Sequence, residues 1–148
     1  REEVTTEGGL DLFKNSDKIK KAIEKFQKND IKVSLFIDPD IAQIEESKIL
    51  DASMIELHTG KYANLFLALN TNINHTKYKL FENYTRKTLQ KMINEELNIL
   101  QDSAIFAKDL DLEVAAGHGL NYQNISNIVK IKEIEEFNIG HSIIANSI

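Results

Sequence analysis

Val114-Ala115-Ala116-Gly117-His118-Gly119-Leu120 decides the fold. It is an apolar run that stops at glycine and histidine. Two other stretches share the form: Met54-Ile55-Glu56-Leu57-His58-Thr59-Gly60 and Phe137-Asn138-Ile139-Gly140-His141. Three apolar runs, each ending in polar residues and glycine, read as parallel strands that deliver side chains to one rim. In a barrel of alternating strands and helices, that rim is where chemistry sits.

Between these runs the pattern changes to helical. Leu89, Ile93, Leu97, Leu100, Ala104 and Ala107 recur with a period near 3.6, which predicts one long helix or two in succession over 76–108. Asn121 is the expected cap of a helix through Val129, with Ile125, Ile128 and Val129 facing inward. A last helix is expected to begin at Ser142. Before the first of the three runs lies another strand, Ile31 to Ile37. Asp38 is the expected cap of the helix after it, and Pro39 suits that helix's first position. Ile41, Ile44 and Ile49 are the candidates for its buried face. Ser16 to Asn29 reads as an amphipathic helix capped by Ser16 and burying Ile19, Ala22, Ile23 and Phe26. Gly60 to Asn74 reads as a loop or the start of a short helix. Residues 1–10 read as a glycine-containing loop or a flexible end.

The expected fold is therefore α/β: about four parallel strands alternating with helices, the C-terminal half of a TIM (β/α)8 barrel. A complete barrel typically takes about 250 residues, more than the 148 present. The strand to Ile37, the helix after it and the strand to Leu57 are expected to make a right-handed crossover unit. The chain opens at Arg1 rather than Met and stops where a helix should be starting, so it reads as a piece of a longer product. Four strands alone would leave two exposed edges, which the missing half or a partner chain is expected to cover.

Composition narrows the function. A net charge of −5 without a basic cluster argues against nucleic acid. No cysteine is present, which removes disulfides and thiolate metal sites and fits a cytoplasmic location. No apolar run approaches membrane-spanning length.

Glu56 sits inside an otherwise apolar strand, and strand alternation points it the same way as His58. Its role is either a structural ion pair or a carboxylate placed for chemistry. His118, between two glycines, has an uncrowded imidazole that titrates near neutrality and suits acid–base work. A structural histidine bonding a loop carbonyl is the alternative. Gly119 and Gly140 could offer backbone N–H groups to a phosphate, aided by the helix beginning at Ser142; simple turn glycines are the alternative. The four histidines match no metal motif, and no serine lies in a nucleophile-elbow pattern.

Glu3-Val4-Thr5-Thr6-Glu7-Gly8-Gly9-Leu10, Val33-Ser34-Leu35-Phe36-Ile37-Asp38, Ile55-Glu56-Leu57-His58-Thr59-Gly60, Ala116-Gly117-His118-Gly119-Leu120 and Asn138-Ile139-Gly140-His141, in that order, resemble the pyridoxine 5′-phosphate synthase family. The resemblance runs nearly end to end, with a longer and more polar connection over 65–100. It implies a TIM barrel of vitamin B6 biosynthesis, of which these strands would be the fifth to eighth. The implied reaction condenses 1-deoxy-D-xylulose 5-phosphate with 3-amino-2-oxopropyl phosphate to pyridoxine 5′-phosphate, phosphate and water. It implies that Thr5 contacts the deoxyxylulose phosphate, with Thr6 the weaker choice. Glu56 would stabilise charged intermediates, and His118 would be the proton donor. Gly119, Gly140 and His141 would bind the aminoketone phosphate. No metal or organic cofactor is implied, and homo-oligomers are. The family's remaining acid–base residues would lie before Arg1, so this chain alone is expected to be inactive.

Two rivals stand beside that reading. One is another phosphate-handling barrel enzyme, an isomerase or aldolase. An aldolase would need a Schiff-base lysine at a strand exit, and Lys32 opens its strand instead. The other is a non-catalytic half-barrel that binds a phosphorylated ligand or assembles with itself.

Overall fold

A computed structural model describes residues 8–73 and 81–147. Four strands form one all-parallel sheet in sequence order: β1 (Ser34–Ile37), β2 (Met54–His58), β3 (Glu113–Gly117) and β4 (Glu136–Asn138). Helices alternate with them. α1 (Ser16–Gln27) precedes β1, and α2 (Ile41–Ile49) joins β1 to β2. α3 (Gly60–Asn70) and α4 (Arg86–Asp109) lie between β2 and β3. α5 (Ile125–Ile128) leads to β4, and α6 (His141–Ala145) follows it. This is the strand–helix alternation of half a (β/α)8 barrel.

The sheet has two unlike faces. Leu35, Ile37, Ile55, Leu57, Val114 and Ala116 point to the helices and are buried. Each fully buried large aliphatic side chain contributes about 1.5–3 kcal/mol. α4 completes that layer with the expected stripe, in which Leu89, Ile93, Leu100, Ala104 and Ala107 are buried and Leu97 half-buried. On the other face, Phe36, Glu56, Ala115 and Glu136 form one cross-strand row. His58, Gly117 and Asn138 form the next row toward the strand exits.

Helix ends repeat one device. Asp30, Asp51 and Asp111 each have positive φ, between 56° and 66°. Each amide bonds back three residues, and the following amide bonds back five, as in Asp111 N–H to Lys108 O and Leu112 N–H to Ala107 O. These are Schellman endings with aspartate where glycine is usual. Each turns a helix into the next strand.

Several local expectations are corrected. α2 is capped by Asp40, whose Oδ1 accepts the Ala42 and Gln43 N–H groups, so Pro39 lies before the cap and Asp38 is left free for the site. Ser16 does not cap α1; its hydroxyl donates to Glu46 Oε1 at 3.0 Å. α1 buries Ile23 but leaves Ala22 and Phe26 exposed, and α2 buries Ile44 but not Ile41 or Ile49. α5 is shorter than expected and leaves Val129 exposed. Asn121 closes a turn before it, accepting from the Gln123 and Asn124 N–H groups. Of the two readings of the stretch from Gly60, the helix holds: it runs 11 residues and buries Tyr62, Leu65, Ala68 and Leu69. α4 is one helix from Arg86, capped by the Thr85 hydroxyl. The expected helix start at Thr76 lies outside the described residues. Gly9 and Leu10 dock on the end of β1, with Leu10 N–H donating to Phe36 O at 2.7 Å.

Candidate active site

The polar ends of the strands meet at one rim. β2 carries Glu56 and His58 on its inner face. β3 exits through Gly117 into His118 and Gly119, and β4 exits through Asn138 toward Gly140 and His141.

Glu56 leans toward the strand exits and over Gly117. Burial raises its pKa from 4.5. A hydrogen bond from the Asn138 side chain opposes the rise, Glu136 adds to it, and His118 opposes it weakly. A carboxylate so placed holds a proton more readily than one in water, or binds a cation that replaces its lost hydration.

His118 is exposed at the rim and has φ +80°, an unusual backbone for a residue with a side chain. Thr59 secures this turn. Its N–H donates to Gly117 O at 2.8 Å, and its hydroxyl lies 2.7 Å from Gly117 O and 2.8 Å from His118 O. Gly119 also has positive φ, and a Cβ there would lie 2.7 Å from Ala63 Cβ, so only glycine fits. Asn124 holds the loop from below. Its amide donates to Gly119 O at 3.0 Å and its carbonyl accepts Asn121 N–H at 2.8 Å. Tyr62 in turn donates its hydroxyl to Asn124 O at 2.6 Å.

A cleft of about 830 Å³ opens between the β3 and β4 exits, lined by His118, Gly119, Asn138, Gly140, His141 and Ser142 among others. A Cβ on Gly140 would meet nothing within 4 Å, so that backbone faces open space. His141 is the exposed first residue of α6, whose opening amides have no carbonyl within the helix to bond. The structure thus brings together Glu56, His118, Gly119, Gly140 and His141. Thr5 and Thr6 lie outside the described residues, as does His75.

Sequence reasoning gave no site role to His58, Asp38, Glu96 or Lys61. His58 is buried, with its Nδ1 3.3 Å from Asp38 Oδ1 and its ring 4.7 Å from that of His118. Its pKa is lowered from 6.5, first by burial and then by His118, against the pull of Asp38 and Glu96. Glu96 of α4 is buried beside it, and Lys61 Nζ lies 2.6 Å from its Oε2 in an ion pair that is not an aligned hydrogen bond. Together they line a second cleft of about 720 Å³ with Asp38, Asn64 and His118. The one signal in the sequence was His58 two positions after Glu56. Lys32 pairs with Glu113 at the strand starts, the end of the sheet away from this rim.

Fold and rim define the class: a parallel α/β chain that gathers a carboxylate, imidazoles and glycine turns where its strands end, as enzymes built on alternating strands and helices do. The chain belongs to the family described as Pyridoxal phosphate biosynthesis protein PdxJ, which it matches over residues 1–148. It is 64% identical over 148 residues to the pyridoxine 5′-phosphate synthase of Nautilia profundicola. It is 56% identical over 149 aligned positions to that of Wolinella succinogenes and 55% identical to that of Campylobacter lari. All of this chain is covered in each comparison, but it spans only 57–58% of the length of those relatives. Among the described residues, no helix is long and apolar enough to cross a membrane.

Proposed function

We propose that this chain forms the fifth to eighth strand region of a pyridoxine 5′-phosphate synthase. The reaction is condensation of 1-deoxy-D-xylulose 5-phosphate with 3-amino-2-oxopropyl phosphate to pyridoxine 5′-phosphate, phosphate and water. An amine adds to a ketone, water leaves and phosphate is expelled, so protons are delivered and removed repeatedly. His118 delivers them near neutral pH. Glu56 holds the positive charge of iminium-like intermediates. Gly119, Gly140 and His141 bind the aminoketone phosphate through backbone amides and the imidazole, and Thr5 contacts the deoxyxylulose phosphate. The enzyme works in the cytoplasm as a homo-oligomer.

One observation carries the reading. The carboxylate, the imidazole and the glycine turns named above share a single rim, in a chain whose family is described as a pyridoxal phosphate biosynthesis protein and whose relatives bear the synthase name. Lys32 pairs with Glu113 at the opposite end, and Lys61 at this rim is held in an ion pair by Glu96, so neither is a free amine for an aldolase's Schiff base.

The test is a hybrid in which this chain replaces its matching segment in the Nautilia profundicola relative. With both substrates, the hybrid is expected to form pyridoxine 5′-phosphate, detected by mass, and the 148-residue chain alone to form none. His118→Ala in the hybrid is expected to lower kcat by about 100-fold or more. A folded hybrid without product, or one indifferent to His118→Ala, overturns the assignment.

A further inference from the structure

His118 is exposed on strained backbone, so its ring needs support if it is to present a proton in one direction. Thr59 secures its carbonyl but not its ring. The ring stands against His58, with centroids 4.7 Å apart and planes inclined by 38°.

His58 is itself fixed from every side. Phe36 meets it edge-on at 5.1 Å. Gly60 lies so close that a Cβ there would fall 2.7 Å from His58 Cε1 and 3.0 Å from His118 Cδ2. Asp38 Oδ1 lies 3.3 Å from His58 Nδ1 and also accepts the Gly9 N–H at 2.9 Å. The carboxylate therefore keeps the proton of neutral His58 on Nδ1. Nε2 is left buried and without a hydrogen-bond partner among the described residues. The two imidazoles meet face to face at a tilt, and His58 Nε2 makes no hydrogen bond to His118, so His58 is placed to brace His118, not to pass it a proton.

We propose that His58, gripped by Asp38, is a positioning residue for His118: its ring is the wall that fixes the direction in which the His118 imidazole faces the rim. The inference rests on the assignment of His118 as proton donor. Without the wall, the His118 ring turns about its first side-chain torsion and is correctly aimed for only part of the time. Turnover then falls, while substrate affinity, carried by Gly119, Gly140 and His141, does not.

Two measurements test this. The first uses the 148-residue chain and nuclear magnetic resonance of its histidines. The parent is expected to show a cross-peak between His118 Hδ2 and a Gly60 Hα, with one dominant His118 rotamer. His58→Ala is expected to lose the cross-peak and average the rotamer, and His58→Phe to retain both. Asp38→Ala, at an exposed position that folding tolerates, is expected to weaken the cross-peak and decides the matter if His58→Ala does not fold. The second uses the hybrid. There His58→Ala is expected to lower kcat by about tenfold or more with KM within about threefold, and His58→Phe to recover most of the loss. A His118 rotamer unchanged in His58→Ala and Asp38→Ala overturns the proposal, as does an equal loss of kcat in His58→Ala and His58→Phe. If the hybrid makes no product, the synthase assignment falls and the resonance measurement alone decides the positioning role.

Discussion

Glu56 occupies the space that a side chain on Gly117 would need: a Cβ built there lies 2.1 Å from Glu56 Oε1 and 3.0 Å from Asn138 Cβ. The carboxylate thus owes its place to a missing methyl group on the neighbouring strand. Gly117→Ala is expected to push Glu56 off Gly117 and away from Asn138. The strand loses about 1–2 kcal/mol, because Glu56 can swing aside while Asn138 cannot. Turnover in the hybrid is expected to fall by about tenfold or more. Denaturant melts beside kinetics check this, and a stable variant with full turnover counts against Glu56 acting from that position.

Glu56 and His58 are expected to give stability opposite dependences on pH. The folded pKa of Glu56 is raised above 4.5, so its contribution is present below that pH and is lost as pH rises through the folded value. The folded pKa of His58 is lowered below 6.5, so its contribution is present above that pH and is lost as pH falls through the folded value. On acidification from pH 7 to 5, His58→Phe should therefore lose less stability than the parent, and Glu56→Gln should lose more. Both groups keep some contact with solvent, which reduces the size of each effect. Urea midpoints at several pH values decide it, and three parallel curves would contradict both assignments.

Asn124 ties α5 to the turn that holds Gly119. It is almost fully buried. Asn124→Ala leaves the Gly119 carbonyl and the Asn121 N–H without these partners, at a cost of about 1–3 kcal/mol. Phosphate affinity of the hybrid is expected to fall along with stability, since the Gly119 backbone is no longer fixed. Calorimetry with 3-amino-2-oxopropyl phosphate reads this, and unchanged affinity would separate the loop from the phosphate.

At Asp111, the left-handed backbone costs a residue with a side chain about 1–2 kcal/mol, against about 1 kcal/mol of extra chain entropy for glycine. Asp111→Gly is therefore expected to stabilise the chain by up to about 1 kcal/mol and to leave turnover of the hybrid unchanged. A lower denaturation midpoint would mean that the Asp111 side chain contributes more than its strain costs.

Strand exits were legible because apolar runs ending in Gly-His or His-Thr-Gly have few other uses. The α4 stripe was legible from its period. The faces of α1 and α2 were not, because periodicity identifies a helix without saying how much of its apolar side the chain itself covers; Phe26 and Ile49 remain exposed. Asp38-Pro39-Asp40 offers two caps, and only the fold shows that Asp40 takes the helix while Asp38 turns to His58. His58 ends β2 and Glu96 lies within α4, with α3 between them in the chain, a relation between distant positions that a linear pattern does not carry.

The aspartate-bearing helix endings have a consequence for how such a chain can vary. α1, α2 and α4 contain 12, 9 and 24 residues, yet each hands over to its strand through the same pair of backbone bonds. Helix length is thereby uncoupled from strand height. Turns can be added to or removed from the outer layer during divergence while the reactive groups stay level with one another.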